Sequence, residues 1–313
     1  MQRNPEELYE LGPAAPGIAG APMLHYLEGF IDAGTAGRLL AEHLLRAFPH
    51  ETVARFDADR LIDYRSRRPP MTYDNSRWES YEAPELALHL LHDQGERPFL
   101  LLTGPEPDHE WDLFTRAVLA IAARLETGPA ISFLGIPAGM PHTRPLGVIA
   151  HATREELLAG HQRLPSRIQV PGSAPALLEL RFGEAGRDAL GFAVQVPHYL
   201  AQAVYPPAAL ALLASVTATT GLEVPDDELR EAADRTNEAI ERQVQESAEV
   251  AELVQALEQQ YDSTAELADA DGAAGLLAEG EAMPTADELA AQFERFLAEN
   301  QDRTDPPGGS PER

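Results

Sequence analysis

The sequence predicts an α/β fold: a mainly parallel sheet flanked by helices, with a C-terminal helical extension. Three observations predict it. Short apolar runs alternate with amphipathic helical patterns as far as Thr220, as strands covered by helices do. Residues 98–114, PFLLLTGPEPDHEWDLF, hold a complete strand, turn and helix start. After Gly221 the alternation stops and a long, charged helical pattern follows.

The 98–114 unit is the centre of the reading. Phe99, Leu100, Leu101 and Leu102 form a fully apolar run, as in a strand buried on both faces of a parallel sheet. Thr103, Gly104 and Pro105 stop it. Asp108 and Glu110 suit the positive end of a helix dipole, and Trp111, Phe114, Val118, Ile121 and Leu125 give that helix an apolar face.

Taken in order, residues 1–22 are rich in Pro, Gly and Ala and read as a flexible arm; residues 23–221 form the α/β core domain. Residues 23–30 (MLHYLEGF) are the first strand, and Thr35 is placed to cap a helix with Leu39, Leu40 and Leu44 inward. Residues 52–57 alternate as the next strand, giving a βαβ unit. Residues 60–82, with Pro69-Pro70 and Asp74-Asn75, read as an insertion carrying a hairpin. Residues 130–136, 146–150, 167–170 and 190–196 read as strands, and residues 86–92 as a strand or a short helix, with strand favoured. Glu155 and Glu156 open a helix after Thr153, Ser173 caps another, and residues 206–220 form a buried, alanine-rich one.

Residues 222–262 are a long helical extension, one helix or a pair. Its seam runs from Leu229 through Ile240, Val250, Val254 and Leu257 to Tyr261. Residues 263–283 read as an acidic linker, 284–300 as a docking helix with Phe293 and Phe296 on one face, and 301–313 as a disordered tail. A helix of that length projecting from a core leaves apolar surface in need of a partner, so a homo-oligomer is expected.

Composition narrows the function. The 313 residues are 44% hydrophobic, enough for a large core, and carry a net charge of −27. Binding to nucleic acid or to an anionic membrane surface is therefore not expected. All the cations are arginine and there is no cysteine, which removes Schiff-base, P-loop-lysine and thiolate chemistry. With no signal peptide and no membrane-spanning run at the sequence level, a cytoplasmic location is expected.

Three strands end in polar, glycine-bearing loops, and ligands of parallel sheets bind beyond such ends. This nominates Gly29, Asp32, Gly34, Gly104, Glu106, Asp108, His142 and His198 as lining a crevice. An enzyme would use Asp32, Glu106 and His109 there for acid–base work. The alternative is that the acids and glycines end strands and cap helices. Glu106, Asp108, His109 and Glu110 share one loop without zinc-site spacing, so no metal is expected. No GxGxxG, P-loop or GxSxG pattern occurs, so no cofactor is expected. Arg65, Arg67 and Arg68, with Tyr73 and Trp78, suit an anion or an acidic partner, or else the arginines stack on the aromatics in a folded-back hairpin.

Four segments, GFIDAGTAG, FLLLTGPEPDHEW, FLGIPAGMPHTRP and GFAVQVPHYLAQAVYPPAALALLASVTATTGLEVPDDEL, occur in this order. Together they resemble the proteasome assembly chaperone family of the second type, in its prokaryotic branch, over residues 23–261. The resemblance implies a phosphorylase/hydrolase-like core, self-association, and an ATP-independent, chaperone-like or scaffolding role with proteasome subunits as partners. Some relatives end in a hydrophobic–tyrosine–any-residue tail, and Gly309-Ser310-Pro311-Glu312-Arg313 lacks it. No catalytic set transfers. The rival reading is a small-molecule hydrolase or transferase using the crevice.

Overall fold

The computed structural model describes residues 3–12, 18–164 and 167–271, with side chains to residue 263. Ten strands form, eight of them in one sheet. They are β1 (Tyr9–Leu11), β2 (Met23–Glu28), β3 (His50–Phe56), β6 (Ala87–His92), β7 (Pro98–Pro105), β8 (Ala130–Ala138), β9 (Val148–Ala152) and β10 (Ala189–Pro197). Their order is β1-β3-β6-β7-β2-β8-β10-β9. The central block β7-β2-β8-β10 is parallel throughout. Antiparallel pairs close both sides.

Helices cover both faces. One face carries α1 (Ala36–Ala47) and α5 (Pro206–Thr220), with α6 (Asp227–Glu246) and α7 (Ala248–Asp271) added to the same apolar cluster. The other carries α3 (Trp111–Arg124) and α4 (Ala174–Glu184), with the short α2 (Ala58–Leu61) and Leu8. Strand alternation divides the side chains: Leu24 and Tyr26 of β2 enter the first cluster, Met23 and Leu27 the second.

The expected βαβ unit at β2–α1–β3 does not form an adjacent pair. β6 and β7 lie between β2 and β3, because their tight turn puts them side by side as a hairpin. Asp93 locks that turn: its carboxylate accepts from the backbone N–H groups of Gly95, Arg97 and Glu223 and pairs with Arg97.

Several local expectations change. The arm expected at residues 1–22 contains a 3₁₀ turn (Pro5–Leu8) and β1, anchored by fully buried Leu8. Residues 167–170 form no strand; Ile168 and Val170 are exposed and pair with no strand among the described residues. The helix expected at Glu155 is a four-residue 3₁₀ turn. Thr35 does not cap α1, since it sits at φ 51 with its hydroxyl unpaired among the described residues; Asp32 does so instead.

The extension is a pair of helices, interrupted at Ser247. Glu241 of α6 and Glu258 of α7 both act on His142, so α7 folds back along α6. Val250, Val254 and Leu257 are buried against the chain's own core. The apolar seam used to expect a homo-oligomer is thus covered within the molecule. Of the expected linker, the part up to Asp271 continues α7. The rest of it, the docking helix with Phe293 and Phe296, and the tail lie outside the described residues.

Candidate polar cavity beneath helix α4

The nominated residues do not share one crevice. Asp32 is held by three main-chain donors and one hydroxyl. Its Oδ1 accepts from the N–H of Gly37 (2.8 Å) and Gly135 (2.9 Å), its Oδ2 from the N–H of Arg38 (3.0 Å) and the hydroxyl of Tyr26 (3.1 Å). These bonds cap α1 and tie it to β8. Burial pushes the Asp32 carboxyl upward, against the four hydrogen bonds. Burial likewise raises Tyr26, with Asp32 adding to the rise. Gly34, at φ 67, lets the chain turn there beside Val196 and Tyr205.

Glu106 is 5% exposed. Its Oε1 accepts from the N–H of Ala174 (2.6 Å) and so caps α4. Burial raises its pKa, while Arg67 opposes the rise. Gly29 lies against it so closely that a Cβ would meet the carboxylate. Asp108 accepts from the N–H of Asp63 (2.8 Å) and pairs with Arg67 (3.1 Å). His109 is exposed, and its backbone N–H donates to Leu61. Gly104, at φ 141, lets β7 pass close to the Glu85 carbonyl.

His142 lies elsewhere. It lines a concavity of about 600 Å³ between the residue 142–146 loop, α5 and α6, with Arg144, Tyr205, Arg230 and Asn237. Its backbone N–H donates to the Tyr199 hydroxyl, which also lies 2.6 Å from Nδ1. Burial lowers the His142 pKa and raises that of Tyr199. Arg144 reaches over to Glu258 and Asp262 of α7. His198 is exposed at the start of a 3₁₀ turn.

A second group of polar residues runs across the sheet beneath α4. The register sets His25 beside Ser132, Ser132 beside Gly191, and Gly191 beside His151. Where the α5 face of β8 and β10 has Ile131, Phe133, Leu190 and Phe192, this face has Ser132 and Gly191. The missing side chain at Gly191 admits the His151 ring and the Ser132 hydroxyl. Glu179 of α4 pairs with His151 Nδ1 at 2.8 Å. His25 is fully buried, and neither ring nitrogen has a partner among the described residues. Burial, with His151 adding to it, lowers its pKa to about 4, so the ring is neutral at pH 7. It faces a cavity of about 30 Å³ with Glu106, Ser132 and Ser173, rimmed by Phe30, Ile31 and Pro175.

Sequence reasoning missed His25, Ser132, His151 and Glu179. A histidine inside MLHYLE and a serine inside AISFLGI were the available signals. Only strand order reveals that they are neighbours.

The sequence profile of the PAC2 family matches residues 26–244. The chain belongs to the PAC2 family. Solved structures agree with this. A Mycobacterium tuberculosis protein of unknown function is 44% identical, with a TM-score of 0.80 over 93% of this chain and 96% of that one. A proteasome-assembly chaperone homologue from the same organism is 26% identical, with a TM-score of 0.68 over 74% and 99%. A PAC2 family protein from Streptomyces avermitilis is 28% identical, with a TM-score of 0.66 over 75% and 99%. No curated protein matches.

This PAC2 chain also presents the insertion openly. β4 (Met71–Asp74) and β5 (Arg77–Tyr81) form a separate hairpin with every residue exposed. Asn75 and Ser76 turn it with φ of 42 and 73. Tyr73 and Trp78 meet edge to face at 5.1 Å, while Trp78 stays 65% exposed. Arg67 is a clasp rather than a docking group: it donates to the carbonyls of Glu28 and Glu106 and pairs with Asp108. Arg65 and Arg68 are exposed. The arginine found over an aromatic ring among the described residues is Arg187, on Phe182, so the insertion's arginines do not stack on its rings. Among the described residues no helix is long and apolar enough to cross a membrane.

Proposed function

We propose that this PAC2 protein is a non-enzymatic, ATP-independent, chaperone-like or scaffolding protein that acts on proteasome subunits in the cytoplasm. Family membership over residues 26–244 carries the reading, supported by the likeness to a mycobacterial protein described as a proteasome-assembly chaperone homologue. The geometry of the nominated acids favours it over the hydrolase reading: both Asp32 oxygens and Glu106 Oε1 accept hydrogen bonds that hold helix N-termini and strands in place, and His109 faces solvent. Co-purification of tagged full-length protein with proteasome subunits tests it, with and without ATP depletion. Equal recovery in both conditions is expected. No recovery in either would end the reading.

The same proposal includes self-association, with the contact on the β4–β5 hairpin. The helices cover their own seam, whereas Met71, Tyr73, Trp78 and Tyr81 are each at least half exposed on a projecting ribbon. Such a patch fits an interface. Light scattering of the full chain at micromolar concentration should give more than a monomer.

A further inference from the structure

Small side chains leave open the concavity of about 600 Å³ between α5, α6 and residues 142–146. α5 presents Leu210, Ala211 and Ala214 to it, and α6 presents Arg230, Ala233 and Asn237, each set at the spacing of one helix face. Alanines at 211, 214 and 233 leave a gap that larger residues would fill. Tyr205 also lines this cavity while being only 2% exposed. Its hydroxyl has no hydrogen-bond partner among the described residues. Unlike the ring nitrogens of His25, it is not among the polar atoms sealed from solvent, so it can be reached from the cavity. A buried hydroxyl without a partner costs stability, and a phenylalanine would avoid that cost. The rim is charged, and its charges do not cancel. Arg144 is held by Glu258 and Asp262, and Arg230 by Asp226. Asp234 lines the cavity with no ion-pair partner among the described residues. Two arginines thus stand against four carboxylates, an excess of two negative charges.

We propose that this cavity binds a small amphipathic cation: a primary amine on an apolar body about the size of a phenylalkyl group. The charge decides the head. An ammonium at Asp234 meets the carboxylate that no described residue neutralises. An anion would instead have to displace an acid already bound to Arg144 or Arg230. An ammonium brings three N–H donors, which the Asp234 carboxylate, the Asn237 side-chain carbonyl and the Tyr205 hydroxyl can accept. Burial holds the Tyr205 phenol neutral, with its pKa pushed up to about 12, and moves His142 toward its neutral form, so neither adds a competing charge. The size decides the body. Leu210, Ala211 and Ala214 form an apolar wall, and about 600 Å³ lies within the range of small-molecule sites. A bare ammonium would leave that wall uncovered. The inference does not depend on the chaperone reading.

The test is isothermal titration calorimetry of the full chain with 4-phenylbutylamine, 4-phenylbutanol, 4-phenylbutyrate and n-butylamine, each taken to millimolar concentration. 4-Phenylbutylamine should bind saturably, and the other three at least about tenfold more weakly. Asp234→Asn should weaken the amine about tenfold. Tyr205→Phe should weaken it about threefold, while the unliganded variant melts no lower than the parent. Ala214→Trp, at an exposed position on the wall, should abolish binding with circular dichroism unchanged. Glu249→Gln removes an exposed carboxylate of α7 that does not line the cavity, and should bind the amine like the parent. That control separates the site from the general attraction of an acidic protein for cations. Four results would overturn the proposal: no saturable binding of 4-phenylbutylamine, the alcohol or the acid binding as well as the amine, Glu249→Gln weakening the amine as much as Asp234→Asn, or Ala214→Trp and Asp234→Asn both binding like the parent. A lysine-bearing amphipathic peptide that bound at least about tenfold more tightly than the amine would also overturn it, in favour of a protein partner.

Discussion

Asp32 and His25 belong to one strand and the loop that leaves it, yet the fold treats them in opposite ways. Asp32 receives four hydrogen bonds, three from main-chain N–H groups. His25 receives none from the described residues. The first is a polar group consumed in holding elements together, here α1 and β8. The second is a polar group left free inside the sheet. A parallel sheet's carboxyl ends are the usual place to look for chemistry, and the contrast shows why position alone misleads. The acid at the strand end is architectural, and the unused group lies deeper, beneath α4.

The contrast breaks most directly at Asp32. Asp32→Ala leaves the N–H groups of Gly37, Arg38 and Gly135 and the Tyr26 hydroxyl without their acceptor. The loss of a helix cap and of part-buried acceptors should cost roughly 3–4 kcal/mol, read from urea unfolding. A cost below about 1 kcal/mol would show that water replaces the carboxylate, and Asp32 would then return as a candidate for chemistry.

Acid supplies the next test. The His25 pKa is about 4 in the fold and near 6.5 when unfolded, so between these values the unfolded chain binds the proton and the fold does not. Stability is complete above pH 6.5 and falls as pH drops toward 4, by about 3 kcal/mol in all from this group. Asp32 and Glu106, whose pKa values are raised, act in the opposite sense. The measurement is therefore the difference between the parent and His25→Leu across that window. Parallel pH profiles would mean that the ring is hydrated and titrates normally.

Much of the frame was legible because it rests on local pattern. The apolar run 99–102, the helix face from Trp111 and the alanine-rich stretch of α5 read correctly. The hairpin at Asp74-Asn75 carried its own turn signal. The errors fall where neighbours distant in sequence decide. Tyr9–Leu11 is strand only because Ala54–Phe56 offers an edge. Ile168 and Val170 have β-branched side chains, yet both stay exposed and pair with no strand among the described residues. The polar row fails for the same reason: His25, Ser132, Gly191 and His151 come from four strands, and the chain order does not state that β2, β8, β10 and β9 are adjacent.

At neutral pH the same comparison predicts a gain. His25→Leu replaces an unpaired buried ring with a side chain suited to the face shared by Met23 and Leu27. Stability should rise by about 1–2 kcal/mol, seen as a higher midpoint in thermal or urea unfolding. Loss of stability would mean that the ring's packing outweighs its unmet hydrogen bonds.

The smallest effect on stability is expected at a third kind of group, one neither satisfied nor buried. Trp78 is 65% exposed and touches Tyr73 on a hairpin that stands apart from the main sheet. Few native contacts disappear with it, so Trp78→Ala should change the unfolding free energy of the separated subunit by no more than about 0.5 kcal/mol. Its consequence belongs to association. An exposed aromatic on a projecting ribbon is the kind of residue that dominates an interface. Light scattering should therefore show Trp78→Ala shifted toward monomer, with circular dichroism unchanged. Removing α7 by truncation after Glu246 should leave association in place, because α7 spends its apolar side chains on its own core. If the truncation dissociates the assembly and Trp78→Ala does not, the contact belongs to the helices and the hairpin is free for another partner.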